Sequence, residues 1–405
     1  MPIVPPTGQD IPETVTELLQ AMVRIDTVNT AVSGRPRAEA ELVEYLSKIA
    51  SVWMLEIELL PVVGQADQLL LTCRVGEDRP WVLFDSHLDT VAVEGMTIDP
   101  FGGEIVEGDR LRGRGACDTK GTGAAMLWAL RNYSGGEGDR PNNIALLFSV
   151  DEEIAMTGVQ SFIQNDLPSQ GWSPSLVIVG EPTEHTPVIA HNGVVRWTLT
   201  TRGRAGHSSL PSESHSAIRD MVAALSLLQR EYIDRLDAEH DLTGPAVSSV
   251  NLIRGGSAPN IIPDLCVCEI DRRVVPGEDH TTILPTVAAL LDSLKADHPE
   301  LHYEQELKVA HPPLLPDRSA GVIDVVRQAL LDHDIRRPCV GAPFGTHAGY
   351  FGDAGLPALV LGPGSPHPAH TKDEWVSVKQ IELGTKVYES LMRSEFKPIN
   401  HEGDR

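Results

Sequence analysis

The chain has 405 residues, of which 41% are hydrophobic and 22% charged, a composition typical of a globular protein rather than a disordered one. At about 150 residues per domain, this length predicts two or three domains. Lys and Arg number 33 against 57 Asp and Glu, and a formal charge of −24 makes nucleic acid or an anionic membrane surface an unexpected partner, because both would be repelled.

The sequence shows no sign of export or of membrane insertion. No apolar run approaches the about 18 residues that a membrane helix needs, and the first residues lack the basic start and apolar stretch of a secretory signal. The cysteines are odd in number and scattered without a CxxC pair, and they are Cys73, Cys117, Cys266, Cys268 and Cys339. We therefore expect a cytoplasmic protein with neither a disulfide framework nor a thiolate zinc site.

The two ends of the chain alternate helices with apolar strands. A capping box that begins at Asp10 predicts a helix that continues to about Arg24. The remaining predicted helices cover 37–51, 119–133, 318–333 and 376–393, and the strands cover 54–60, 69–75, 81–86, 143–150, 176–180 and 358–361. Apolar strands that alternate with helices indicate an α/β fold with a mostly parallel sheet flanked by helices.

The middle of the chain has a different order of elements. Strand, helix, strand, strand, helix and strand are predicted at 193–202, 216–232, 247–253, 265–273, 281–296 and 302–309. This βαββαβ order is ferredoxin-like. We therefore predict a catalytic domain in two parts, residues 1–188 and 311–405, interrupted by an inserted domain at 189–310. Clefts between two domains are common places for small-molecule sites.

The first two candidate site motifs follow a predicted strand and a glycine-rich turn. His87 and Asp89 are two residues apart, so they share a face in extended backbone, and Asp89 can accept a hydrogen bond from the second ring nitrogen of His87. Asp118 follows the turn Gly-Arg-Gly-Ala-Cys at the start of a helix. Each motif alone also fits a structural role, a local hydrogen bond for the first and a helix cap for the second.

Further acidic side chains follow two buried strands. Asp151, Glu152 and Glu153 come directly after the strand at 143–150, and three adjacent acids repel one another unless a cation or a proton compensates. The alternative is a solvated acidic turn. Glu181 lies at the end of the next strand, where open α/β sheets place their ligands.

Two histidines, His367 and His370, follow the strand at 358–361, and either one alone could be an ordinary surface histidine. Taken together, however, four carboxylates and several histidines at the strand ends of one domain indicate a metal site. Mixed carboxylate and imidazole ligands suit zinc, and also cobalt or manganese. With several carboxylates available, one of them can bridge two ions about 3.5–4 Å apart.

These motifs resemble those of the family that contains acetylornithine deacetylase, succinyl-diaminopimelate desuccinylase and glutamate carboxypeptidase, which are dinuclear zinc amidohydrolases. The resemblance covers nearly the whole chain, including the inserted domain. It rests in combination on His-Leu-Asp at 87–89, Gly-Arg-Gly-Ala-Cys-Asp at 113–118, Asp-Glu-Glu at 151–153, Gly-Glu-Pro-Thr at 180–183 and Ala-His at 369–370.

The resemblance implies a ligand set for two metal ions. Asp118 would bridge the ions, next to a cis peptide bond to Thr119. The family pattern Ala-His selects His370 rather than His367 as a ligand. The remaining assignments are His87 and Glu181 for one ion, and Glu153 and His370 for the other.

The resemblance also implies the catalytic roles. Asp89 would orient His87, and Glu152 would be the general base that takes a proton from a water held between the two ions. His207 would contact the oxyanion, often in the site of the partner subunit. The inserted domain would then form a homodimer and act as a lid over the substrate.

Four residues match positions that bind substrate in relatives, namely Asn260, Arg273, Thr346 and Gly364. The Arg273 guanidinium suits a substrate carboxylate, although an ion pair with Asp271 is an alternative. Gly364 would offer a backbone donor. The chain departs from the family at His347, where relatives usually have an acidic or small residue. The resemblance therefore does not define which substrate the specificity pocket accepts.

The expected function is hydrolysis of an amide bond in an N-acyl amino acid, with acetylornithine deacetylase-like activity first because the GEPT, GPG and AH motifs are close to that branch. A succinyl-diaminopimelate desuccinylase, a glutamate-type carboxypeptidase, and an aminoacylase or dipeptidase are alternatives. A non-catalytic binding module on the same fold is an alternative of another class. Such a module would be expected to lack the base or a ligand, and all six inferred residues are present.

Overall fold

The computed structural model describes residues 11–397, and the chain divides into two compact units. The first unit contains the described residues of Met1–Ile189, Pro316–Val340 and Thr346–Arg405. The second unit contains Ala190–Leu315 and Gly341–Gly345.

Ten α-helices lie within the described residues. They are α1 (Val15–Arg24), α2 (Thr30–Ser33), α3 (Ala40–Val52), α4 (Lys120–Gly135), α5 (Thr157–Ser161), α6 (Ala217–Glu231), α7 (Ile283–Ser293), α8 (Ile323–Leu331), α9 (His347–Asp353) and α10 (Val378–Arg393). The helix predicted at 318–333 begins only at Ile323, because Gly321 disfavours helix and Pro316–Ser319 form a separate 3-10 turn.

Nineteen strands lie in the same part of the chain. They are β1 (Glu56–Leu60), β2 (Gln68–Cys73), β3 (Trp81–His87), β4 (Ile105–Val106), β5 (Arg110–Arg112), β6 (Asn143–Ser149), β7 (Pro174–Val179), β8 (Val188–His191), β9 (Gly193–Arg202), β10 (Gly206–His207), β11 (Glu239–His240), β12 (Gly244–Pro245), β13 (Val247–Gly255), β14 (Ile261–Ile262), β15 (Leu265–Val274), β16 (His302–His311), β17 (Val340–Ala342), β18 (Ala358–Val360) and β19 (Trp375–Ser377).

The first helix shows how local sequence sets an element. The hydroxyl of Thr14 accepts a hydrogen bond from the N–H of Glu17 and so caps α1. The buried side chains of α1 recur at helical spacing from Val15 to Val23 and face the core. The capping box predicted at Asp10 lies outside the described residues, and the helix begins after Thr14 instead.

The first unit is built on a mixed sheet with the strand order β1-β2-β6-β3-β7-β18-β8-β17. Strand β3 runs parallel to β6 and β7, and β18 runs parallel to β7. Strand β2 is antiparallel to both β1 and β6, and β18 is antiparallel to β8. The predicted α/β class is confirmed, and the sheet is parallel at its centre and antiparallel at its margins.

The central strands are buried on both faces because helices cover them. Every residue of β3, β6 and β7 is buried, as expected for parallel strands within an α/β layer. Helix α4 packs on this sheet and against α10. The approach is close at Gly123, where a Cβ would lie 2.9 Å from a ring carbon of Phe148 and from the hydroxyl of Ser86.

The topology brings the ends of the parallel strands to one edge of the sheet. His87 is the last residue of β3 and is in register with Ser149, the last residue of β6. Asp85 of β3 is in register with Val179, the last residue of β7. The segments that follow β3, β6, β7 and β18 therefore leave the sheet together at the carboxyl ends of these strands, where ligands bind in open α/β folds.

The second unit contains a four-stranded antiparallel sheet with the order β13-β15-β9-β16. Helices α6 and α7 cover one face of this sheet, where Trp197, Leu199 and Ile270 belong to a separate hydrophobic core. Strand β9 alternates as the sequence predicts, with Trp197 buried and Arg196 exposed. One face of this sheet is therefore more polar than the other.

Among the described residues, no helix is both long enough and apolar enough to cross a membrane.

Candidate metal centre

His87 is fixed at the end of β3 with one ring nitrogen facing two carboxylates. Its Nε2 lies 3.1 Å from Oδ1 of Asp118 and 4.0 Å from Oε1 of Glu181. Its Nδ1 is 2.9 Å from the backbone carbonyl oxygen of Asp89. Because a carbonyl oxygen can only accept, Nδ1 donates to it. Burial would lower the pKa of His87, but its hydrogen bond to Asp118 raises the pKa, so a metal ion bound here would replace the proton on Nε2.

This geometry corrects one prediction about Asp89. Its carboxylate Oδ1 lies 3.6 Å from Nδ1 of His87, so the backbone carbonyl of Asp89, rather than its carboxylate, orients the ring. The carboxylate instead accepts hydrogen bonds from the backbone N–H groups of Glu152 and Glu153, at 2.9 and 3.1 Å. Asp89 therefore fixes both the imidazole and the turn that follows β6.

The same hydrogen bonds keep Asp89 ionised. Burial alone would raise the pKa of Asp89, but the interactions with His87 and the hydrogen bonds from Asn29 and Glu152 outweigh it and lower the pKa. A fixed negative charge directly behind His87 strengthens the imidazole as an electron-pair donor.

Asp118 lies between two histidines. Its Oδ1 is 3.1 Å from Nε2 of His87, and its Oδ2 is 3.1 Å from Nε2 of His370. The peptide bond from Asp118 to Thr119 is cis, as the resemblance implied. Burial would raise the pKa of Asp118, but its hydrogen bonds with the two histidines hold the pKa well below its usual range.

His370 is shared between two carboxylates. Its Nε2 lies 3.1 Å from Asp118 and 3.1 Å from Oε1 of Glu153. The hydrogen bonds to Asp118 and Glu153 raise the pKa of His370 to about 11. The proton on this imidazole thus compensates for concentrated negative charge, which is a task that a divalent cation can also perform.

Three glutamates add to this negative charge. Burial raises the pKa of Glu152, Glu153 and Glu181, and the charge of Asp118 raises all three further. His87, Asp118 and Glu153 each offer one ligand atom, and these three atoms all lie within 4.8 Å of one another. Imidazole and carboxylate donors this close together fit a divalent cation such as zinc.

The structure thus brings together every predicted metal-centre residue of the first unit. Both histidines are exposed, but Nε2 of His370 lies 3.1 Å from Asp118, whereas the backbone N–H of His367 donates to the hydroxyl of Ser365. The selection of His370 over His367 agrees with this geometry.

Residues 83–394 match the family model described as Peptidase family M20/M25/M40. The chain belongs to this peptidase family. It is 30% identical over 390 residues to the acetylornithine deacetylase of Salmonella newport (strain SL254), covering 92% of this chain and 96% of the relative. It is 29% identical over 381 residues to the acetylornithine deacetylase of Pectobacterium carotovorum, covering 90% and 93%.

Solved structures of M20 peptidases share the fold. An M20 metallo-carboxypeptidase from Sulfolobus solfataricus matches with a TM-score of 0.78 at 16% identity, over 94% of this chain and 99% of that one. The dinuclear metal-binding peptidase YXEP of Bacillus subtilis matches with a TM-score of 0.68 at 14% identity, over 93% and 96%. The predicted family is confirmed, and the chain is an acetylornithine deacetylase-like metallohydrolase of the M20 family.

Two predicted substrate-binding residues of this M20 protein have structural roles within the first unit. The hydroxyl of Thr346 accepts from the N–H of Ala348 at 3.2 Å and caps α9. The N–H of Gly364 donates to Oε1 of Gln380 at 2.8 Å, and a contact of Gly364 with substrate stays a prediction. Glycine is required there because φ is +89° and a Cβ would lie 2.8 Å from Sγ of Cys117.

The other predicted substrate and oxyanion residues lie in the second unit. His207 is exposed on β10, and its Nδ1 lies 2.7 Å from the hydroxyl of Ser209. Asn260 is exposed, and its carbonyl oxygen accepts from the N–H of Ser208. Arg273 donates to Asp271 at 2.9 Å, which is the ion pair that the sequence left as the alternative.

The unusual His347 of this M20 chain is buried in a polar cluster under the centre. Its Nδ1 lies 2.8 Å from Oδ2 of Asp85, and the hydroxyl of Ser149 donates to Oδ1 of the same carboxylate at 2.7 Å. All three side chains are buried. His347 therefore has a partner of its own in β3, which explains how an imidazole is tolerated at this position.

Sequence reasoning missed two buried residues beside the centre. The amide of Asn29 donates to Asp89 at 2.8 Å and to Asp151 at 3.0 Å, and so separates two carboxylates. Glu374 accepts hydrogen bonds from the backbone that carries Asp118. The position of Glu374, four residues after His370, was the one available signal, whereas Asn29 belongs to no motif.

Proposed function

We propose that this M20 protein hydrolyses the amide bond of an N-acyl amino acid, with acetylornithine deacetylase-like specificity. We also propose that it uses two divalent metal ions, with zinc as the preferred metal and cobalt or manganese as alternatives. The observation that carries the proposal is the position of Asp118, whose two carboxylate oxygens each lie 3.1 Å from a different histidine. One carboxylate shared in this way is what a bridging ligand between two metal ions requires.

The contacts around Asp118 support the ligand assignment that the family resemblance implies. His87 lies 3.1 Å from Oδ1 of Asp118 and 4.0 Å from Glu181, and His87 and Glu181 would hold one ion. Glu153 and His370 lie on the Oδ2 side and would hold the other. When bound, divalent ions supply Lewis acidity, which acidifies a water molecule and polarises a carbonyl oxygen.

Glu152 is the proposed general base. The N–H of Glu152 is anchored by the carboxylate of Asp89, so its backbone is fixed next to the ligand Glu153. Its carboxylate would take a proton from the attacking water and deliver it to the leaving amine. The family resemblance assigns the metal ligands to other residues, so the Glu152 carboxylate would be available to act as the base.

The second unit would supply a dimer interface. Strand β13 is an edge strand of the second sheet, and it exposes Val247, Leu252 and Ile253. An exposed apolar edge strand is a template for pairing with another chain. A homodimer through this edge is the proposed assembly, and His207 is proposed as an oxyanion donor in the partner subunit.

We also propose a cytoplasmic location, which the free state of all five cysteines supports.

Metal reconstitution followed by a substrate panel tests the proposed function. The protein is stripped with a chelator, reloaded with zinc or cobalt, and assayed on N-acetylornithine, other N-acyl amino acids, N-succinyl-diaminopimelate and dipeptides. We expect about two ions per chain, loss of activity on chelation, and the fastest turnover on an N-acetyl amino acid. Faster turnover of dipeptides would reassign the substrate class, and a chain that binds no metal would refute the proposal.

A further inference from the structure

Glu374 lies four residues after His370 and collects four N–H donors on one carboxylate. Its Oε1 accepts from the backbone N–H groups of Cys117 and Asp118, at 2.8 and 3.0 Å. Its Oε2 accepts from the N–H of Gly115 at 3.0 Å and from Nη1 of Arg114 at 2.7 Å. The side chain is fully buried, and both oxygens are already occupied by donors, so Glu374 is not itself a metal ligand.

Arg114 extends this connection to the segment that carries His370. Its Nη2 donates to the carbonyl oxygen of Thr371 at 3.1 Å, and its Nε donates to that of Ala92 at 3.0 Å. The carbonyl oxygen of Glu374 accepts from the N–H of Gly113 at 3.1 Å. The loop at 113–118 and the segment at 370–374 are therefore joined by buried, charge-assisted hydrogen bonds on both sides.

This connection fixes the distance on which the proposed bridging ligand depends. Asp118 comes from one of the two joined segments and His370 from the other, and their side chains meet at 3.1 Å. We infer that Glu374 is a positioning residue that sets Asp118 relative to His370 and so determines how tightly the centre holds its metal ions. This inference rests on the proposed dinuclear function.

An amide in place of the Glu374 carboxylate would break the arrangement. A glutamine offers one acceptor oxygen and one NH₂ group, and the NH₂ would face N–H donors on Gly115 and Arg114 or on Cys117 and Asp118. Buried donors left unpaired carry a desolvation penalty, so the loop would shift to satisfy them.

The test is the zinc affinity of Glu374→Gln, measured by competition with a chromophoric chelator. Loss of a residue that supports metal ligands typically weakens binding by about 10- to 100-fold, and we expect this loss for the weaker of the two ions. Asp220→Asn is the matched control, because Asp220 is an equally buried carboxylate in the second unit, 2.6 Å from His215. We expect the control to bind zinc as the wild type does.

Asp118→Ala separates this inference from the proposed function. If the wild type binds no zinc, or if Asp118→Ala binds zinc like the wild type, the dinuclear proposal fails. If Asp118→Ala loses zinc but Glu374→Gln keeps its affinity within about threefold, only the positioning role of Glu374 is overturned. Should Glu374→Gln not fold by circular dichroism, Glu374→Asp, which keeps the charge but shortens the reach, decides by the same criterion.

Discussion

At the scale of single residues, Glu152 and Glu153 are neighbours with different proposed roles, the first as general base and the second as metal ligand. Substituting each in turn therefore separates catalysis from metal binding. Glu152→Gln removes the proposed base and leaves every proposed ligand in place. We expect turnover to fall by about 10²–10⁴-fold while the zinc content is unchanged. Glu153→Gln is the matched comparison and should lower the zinc content as well. Normal turnover of Glu152→Gln would refute its role as base.

His370 predicts a pH-dependent stability of the metal-stripped protein. Its hydrogen bonds to Asp118 and Glu153 raise its pKa from 6.5 to about 11. Because the folded-state pKa lies above the unfolded value, this stabilisation is complete below about pH 6.5 and is lost as the pH rises through about 11. The free energy of unfolding, measured in urea at a series of pH values, should therefore decline more steeply between about pH 6.5 and 11 for the wild type than for His370→Gln.

One result would contradict this prediction, and added zinc provides a second test of it. Parallel profiles for the wild type and His370→Gln would mean that the ion pairs of His370 contribute nothing measurable, which a half-exposed side chain allows. Zinc binding must displace the proton, so the stabilisation that added zinc gives should grow as the pH rises over the same interval.

At this scale the sequence located the centre better than its details. Metal-capable residue types near predicted strand ends indicated a metal site, and the family resemblance then implied the ligand set His87, Asp118, Glu153, Glu181 and His370. That the carbonyl of Asp89 holds His87 could not be predicted, since the choice between carbonyl and carboxylate depends on local backbone geometry. Glu374 could not be assigned either, because its partners lie about 257 residues away in the chain.

At the scale of elements, the close packing of α4 on the sheet makes a stability prediction. Gly123→Ala places a Cβ 2.9 Å from Phe148, so the ring or the helix must move. Overpacking typically costs about 1–3 kcal/mol, and alanine regains up to about 1 kcal/mol through helix propensity. We expect a net loss in the free energy of unfolding, measured in urea.

Gly135→Ala provides the control for that substitution. Gly135 lies on the same helix, and a Cβ there would meet no atom within 4 Å. We expect this variant to be unchanged or slightly more stable. Equal stability of the two variants would show that the contact at Gly123 is not tight.

Long elements could be predicted and short ones could not. The strand predicted at 193–202 has those bounds in the structure because its residues alternate over ten positions. Strands β4, β5 and β19 have two or three residues each, too few for a period to show. Strand β19 exists because Trp375 pairs with Arg112, a partner that no local pattern reveals.

At the scale of the whole molecule, the exposed edge of the second sheet predicts the oligomeric state. We expect a mass of twice 43.9 kDa by analytical ultracentrifugation. Ile253→Asp introduces an exposed charge on β13 and should give a monomer, because a charged side chain on an edge strand opposes pairing with another chain. Leu307→Asp is the control, since Leu307 is similarly exposed on β16 at the opposite edge. A wild-type monomer, or dissociation by Leu307→Asp alone, would contradict this interface.

The division of the chain was predicted from the change in element order near 190 and near 310. The structure divides the described chain at Ile189 and Leu315, with Gly341–Gly345 joining the second unit. Five residues that return from late in the chain carry no pattern of their own, so the sequence could not reveal them. The lid and dimer roles of the inserted part stay predictions.

The dinuclear centre is tested most directly by anomalous diffraction at the zinc edge from crystals of the zinc-loaded protein. We expect two peaks about 3.5–4 Å apart with the carboxylate of Asp118 between them, one peak on the side of His87 and the other on the side of His370. A zinc position remote from Asp118, or no peak beside either histidine, would contradict the account.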